Sequence, residues 1–129
     1  MPTISASHRD LLEKPNTVTF ATVGADGQPQ LTAIWAMLDG DVVRLSLYRG
    51  RQKYKNLRAN PRVTLFAIDP DNPFRTLEIR ALAVVTEDPG LEFLRRLLAL
   101  HGTDLENFQA PTDDRVVVTL NATRIVERG

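Results

Sequence analysis

Short runs in which apolar and polar residues alternate, each closed by a turn signal, constrain this chain more than any other feature. Thr17 to Val23 (TVTFATV) is β-branched and repeats with period two, the signature of a half-buried strand. Val18, Phe20 and Thr22 fall on one face, with Thr19, Ala21 and Val23 on the other. Ala25-Asp26-Gly27 reads as a hairpin turn in which Gly27 supplies a positive φ. Pro29 then opens a strand over Gln30 to Leu38, where its missing N–H does least harm. Asp39-Gly40-Asp41 turns the chain again into Val42 to Tyr48.

Three further runs extend the pattern. Val63 to Ile68 and Thr76 to Thr86 are strands separated by a turn-rich loop, Asp69 to Pro73. Arg115 to Leu120 is the last strand, with Ala122 to Val126 as its continuation. Helices fill the gaps. One begins at Ser7 and ends before Pro15, one follows Gly50, and one starts at Pro89, carries leucines at helical spacing and stops at Gly102. Six strands in hairpin order predict a mainly β fold, an antiparallel closed or nearly closed barrel in one domain over residues 1–129. So small a barrel is filled by its own side chains, which puts a ligand site outside it, where two copies meet.

Charge is distributed unevenly. The chain carries 16 basic and 16 acidic residues. Arg44, Arg49, Arg51, Lys53, Lys55, Arg58 and Arg62 stand together with Asp41 as the one acid at the edge of their window. A cationic strand-to-helix corner is suited to an anion, because a helix start adds free N–H donors and a positive dipole end. The competing interpretation is a solvated basic helix face.

Other chemistries lack support. There is no cysteine, hence no disulfide framework, thiolate nucleophile or Cys-based zinc site. His8 and His101 fall on different helices without metal-ligand spacing, so no metal is expected. Gly50-Arg51-Gln52-Lys53 lacks the spacing of a P-loop, and nothing around Ser46 makes a nucleophile elbow. The balanced charge argues against nucleic-acid binding. No apolar run is long enough to span a membrane and the N-terminus lacks a signal-peptide core, so a cytoplasmic protein is expected.

The stretch from Pro29 to Trp35 (PQLTAIW), then Val43 to Tyr48, then Gly50 to Val63 (GRQKYKNLRANPRV) resembles the pyridoxamine 5′-phosphate oxidase-like, FMN-binding split β-barrels. It is most similar to the branch that uses the deazaflavin coenzyme F420, the B group of flavin/deazaflavin oxidoreductases. The R-x-K-x-x-N-L-x-x-N-P-R-V run is the specific part, and the likeness extends over roughly residues 7–127. The resemblance implies a homodimer with the cofactor in a groove between subunits. It implies Arg51 and Lys53 as phosphate ligands, Thr32, Ala33, Ile34 and Trp35 as the bed of the ring, and Ser46, Leu47 and Tyr48 as the neighbouring wall. Lys55, with Arg58 and Arg62, would meet the anionic tail of F420, and Tyr48 is the one candidate proton donor. Arg51-Gln52-Lys53 stands where the true oxidases show Ser-Arg-Lys, which favours the deazaflavin branch. The expected activity is hydride transfer from reduced F420 to a small unsaturated or conjugated substrate. The alternatives are an FMN-binding oxidase or electron-transfer protein, and an F420 carrier without turnover.

Overall fold

The computed structural model describes residues 2–129, and these form seven strands and three short helices. The strands are β1 (Thr17–Val23), β2 (Pro29–Trp35), β3 (Met37–Asp39), β4 (Val42–Tyr48), β5 (Arg62–Asp69), β6 (Asn72–Glu87) and β7 (Arg115–Arg128). All are antiparallel to their neighbours, in one sheet of order β2-β1-β5-β6-β7-β4-β3. The helices are α1 (Asp10–Glu13), α2 (Gln52–Ala59) and α3 (Glu92–Leu100). The fold is mainly β and antiparallel, as the alternating pattern predicts, and its sheet curls into the split barrel that the resemblance implies.

Seven strands replace the expected six because the run from Gln30 to Leu38 changes partner midway. β2 pairs along its length with β1, from Thr17↔Trp35 to Val23↔Pro29. After Ala36 the chain leaves that neighbour, and β3 joins β4 through Met37↔Arg44, Leu38↔Val43 and Asp39↔Val42. β2 and β4 are therefore not hairpin partners. They sit near opposite ends of the strand order and face each other across the split.

Three smaller expectations are also corrected. Asp69 to Pro73 is a tight turn rather than a loop, with Asp69 paired to Asn72 and the Asp71 amide donating to Asp69 Oδ1 at 2.8 Å. Ser7 does not cap a helix. Its Oγ lies 2.8 Å from His8 Nδ1, and α1 starts only at Asp10. The helix expected from Pro89 is a 3-10 turn there, because Gly90 and Leu91 take φ of 64° and 57° and delay α3 to Glu92.

Alternation decides the core. Phe20, Leu45, Leu65, Leu77, Ile79 and Val118 point inward and are fully buried. Each contributes roughly 1.5–3 kcal/mol on burial, and with no disulfide this core is the main source of stability. α2 packs against β1 and buries Asn56 and Leu57.

Candidate functional site

The split leaves two strand edges without partners over part of their length. β2 pairs with β1 alone, and β4 beyond Arg44 pairs with β7 alone. Ala33, Ile34 and Trp35 from one edge and Ser46, Leu47 and Tyr48 from the other line a single cleft of about 310 Å³. Unpaired edge strands present N–H and C=O groups, so this wall offers main-chain donors and acceptors as well as side chains. The cleft lies outside the closed core. Its roof is α3, through Leu94, Leu97 and Leu98, with Phe108 and Ala110 from the loop that follows.

At one end stand Arg51, Lys53 and Arg115. Arg51 is the N-cap of α2, whose first turn holds no acidic residue. Lys53 is half-buried and donates from Nζ to Thr32 Oγ1 on β2 at 3.0 Å. Among the described residues none of the three cations has a carboxylate partner. The cost is visible in the titration of Lys53 and Arg115. Burial, then the charges of Arg51 and Arg115, holds Lys53 below the usual lysine range. Burial, then Arg51, lowers Arg115 in the same way. Cations crowded beside a helix start form an anion site, to which Arg adds a planar fork and Lys a point charge.

The rest of the basic window is placed elsewhere. Arg44 is committed to Asp39 and donates to Thr119 Oγ1 at 3.0 Å. Arg49 bridges Glu87 and Asp114. Lys55, Arg58 and Arg62 are exposed and do not line the cleft. Of the residues named from the sequence, Arg51, Lys53, Ala33, Ile34, Trp35, Ser46, Leu47 and Tyr48 come together in the cleft. Thr32 reaches it through Lys53, and Lys55 lies outside it. Sequence reasoning missed Arg115, Phe108 and the leucines of α3 as site residues.

The buried Asn56 explains why the cationic corner needs the rest of its motif. Its Nδ2 donates to Thr22 Oγ1 at 3.1 Å and to Gln30 Oε1 at 3.2 Å, while Gln52 Nε2 donates to its Oδ1 at 2.9 Å. This network ties the first turn of α2 to β1 and β2, and so sets where Arg51 and Lys53 stand.

The roof is fastened at three places. Arg96 on α3 and Arg44 on β4 both bind Asp39, which holds that carboxyl below its usual range. Phe93 and Leu97 pack with Val117, Trp35 and Met37. Trp35 also stacks on His101, with ring centroids 4.3 Å apart and planes 5° from parallel. Burial lowers the His101 pKa, so this partner of Trp35 is kept neutral to lower pH than an ordinary histidine.

Gly50 is required by the Tyr48 ring. A Cβ at Gly50 would lie 2.2 Å from Tyr48 Cε2. Gly50→Ala therefore drives the half-buried ring off the cleft wall, at a cost of about 0.5–1.5 kcal/mol in urea unfolding for the displaced rotamer. In a Tyr48→Ala background the same change costs almost nothing. Equal losses in both backgrounds would show that the contact is not the cause.

Comparison with known proteins places these features in context. A family model described as pyridoxamine 5′-phosphate oxidase matches residues 4–128. A solved structure described as an F420 reductase is 38% identical, with a TM-score of 0.85 over 95% of this chain and 98% of that one. A conserved hypothetical protein of Mycobacterium tuberculosis is 28% identical, with a TM-score of 0.76 over 99% of this chain and 86% of the other. A putative pyridoxamine 5′-phosphate oxidase of Listeria innocua, 21% identical with a TM-score of 0.71 over 91% of each chain, shares the fold. No curated protein matches the sequence.

Proposed function

The chain belongs to the pyridoxamine 5′-phosphate oxidase family, and on that premise we propose that it is an F420-dependent reductase acting on a small unsaturated or conjugated substrate. The observation that carries this reading is the pair Arg51 and Lys53, with no carboxylate partner among the described residues, at the start of α2 and beside a cleft walled by the largely apolar free edges of β2 and β4. Its residues fit a flat ring ending in a phosphate. The 38% identity to a structure described as an F420 reductase supports the deazaflavin over FMN.

When bound in its reduced form, the deazaflavin supplies a hydride. Everything else falls to the chain. Arg51 and Lys53 grip the phosphate end and fix how far the ring reaches along the split. Ala33, Ile34 and Trp35 bed one side of the ring, and Ser46, Leu47 and Tyr48 the other. Leu94, Leu97 and Leu98 exclude water over the reacting face, while Tyr48 offers the one phenolic proton on the wall. Lys55 and Arg58, exposed beyond the corner, are available to the carboxylates of the coenzyme's tail.

A second copy completes the pocket. Leu31 on β2 is 65% exposed, as are Leu82 and Val84 on β6 to a lesser degree, and the partner subunit is the cover we assign to these side chains. We place the dimer in the cytoplasm, each chain a single split-barrel domain. Among the described residues no helix is long and apolar enough to cross a membrane.

Fluorescence titration with F420 and with FMN tests the assignment. F420 binds at least tenfold more tightly. Tighter FMN binding would make the protein a flavin oxidase or electron-transfer module. Tight F420 binding with no oxidation of the reduced coenzyme by any unsaturated acceptor would make it a carrier.

A further inference from the structure

We propose that Arg115 is the recognition residue for the carboxylate of a planar acid substrate, an inference that rests on the cofactor reading above and names the substrate class for that site. Arg115 opens β7 directly opposite Tyr48 on β4. Its side chain turns back along β4, where Nη1 donates to Ser46 Oγ at 3.4 Å. Nε donates to the Pro111 carbonyl at 2.8 Å, and the guanidinium carbon lies 4.9 Å from the centre of the Phe108 ring. These contacts fix the plane of the guanidinium. They occupy Nε and one Nη1 proton, leaving the second Nη1 proton and both Nη2 protons unused. Such an end-on pair is the fork that receives a carboxylate through two parallel bonds.

Arg115 reaches the cationic end of the cleft from the opposite side of the split to the phosphate grip. Lys53 is held on the β2 side of the split by Thr32, and Arg51 stands at the start of α2. Arg115 lies on the β4 side, beside Ser46 and under Phe108, next to the strip that beds the ring. Two cations at a helix start suffice for one phosphate. A third that is half-buried and without a carboxylate partner among the described residues is left for another anion. Phe108 and Leu97 line the same cleft and offer apolar surface to the conjugated body of such an acid.

Calorimetry on the F420-loaded full-length protein, with cinnamate and cinnamamide as probes, tests this. Cinnamate binds at least tenfold more tightly than its amide. Arg115→Gln removes that preference while F420 affinity stays within threefold, and Arg115→Lys, which keeps the charge but loses the fork, recovers only part of it. Three results overturn the inference: equal binding of acid and amide, a preference that survives in Arg115→Gln, or F420 affinity falling in that variant as it does when the phosphate ligands are removed. The same comparison on the unloaded protein separates the two levels. If F420 does not bind at all, the cofactor reading falls, and the acid-over-amide preference still decides for or against Arg115.

Discussion

Arg51→Ala combined with Lys53→Ala weakens F420 binding by about a hundredfold or more and leaves the fold intact. Each side chain gives up a charge-assisted hydrogen bond to the phosphate end, worth about 1.5–3 kcal/mol, so the pair loses about 3–6 kcal/mol of binding. Stability behaves differently. Arg51, Lys53 and Arg115 repel one another, and burial already depresses Lys53 and Arg115. Removing two of the charges relieves that repulsion and sacrifices one bond to Thr32. Urea midpoints of the double variant should therefore match or exceed the parent's. Loss of binding without loss of stability is the mark of residues kept for a ligand. A double variant that binds F420 normally would remove the phosphate assignment. One that merely unfolds would make the corner structural. Lys55→Ala, outside the cleft and facing only the tail, should weaken F420 binding far less than the double variant does and leave binding of the tail-less deazaflavin unchanged.

Asp88→Ala is expected to cost about 3 kcal/mol or more and to strike one region of the molecule. The Asp88 side chain is buried and accepts the amides of Phe93 at 2.9 Å and Leu94 at 3.0 Å. These are first-turn donors of α3 with no helical acceptor. Bonds to a charged acceptor are worth about 1.5–3 kcal/mol each, and truncation leaves both donors buried and unsatisfied. Asp88→Asn keeps one acceptor and should recover less than half. Because α3 roofs the cleft, ligand affinity should fall along with stability. Hydrogen exchange separates this from global unfolding: amides 93–98 should lose protection first, while those of β5 and β6 keep theirs. Uniform loss of protection across the sheet would contradict a local role.

The sheet was legible wherever side-chain alternation and a turn glycine coincided. Gly27 and Gly40 mark both early hairpins with φ of 81° and 66°, and the inward set of Val18, Phe20 and Thr22 is buried as the period requires. The break at Ala36 was not legible, because inward and outward positions continue through it unchanged. What changes there is the neighbouring strand, a long-range fact. The start of α3 was missed for a local reason. Pro89 normally opens a helix, yet Gly90 and Leu91 take left-handed dihedrals and Asp88 caps the chain further on.

For the site, the basic corner could be read because Arg51 and Lys53 are close in sequence. Counting charge could not tell them from Arg44 and Arg49, whose partners Asp39, Glu87 and Asp114 lie on other elements. Arg115 was invisible for the same reason. It looks like the first residue of a strand until register sets it opposite Tyr48, 67 positions earlier, with Ser46 beside it. Phe108 lies in a segment with no period at all.

Crystals grown with F420 test the central claim most directly. The account predicts the phosphate between Arg51 and Lys53 and the ring in the split between β2 and β4, with a second copy closing the pocket. A coenzyme bound elsewhere, with that corner holding only solvent, would contradict it.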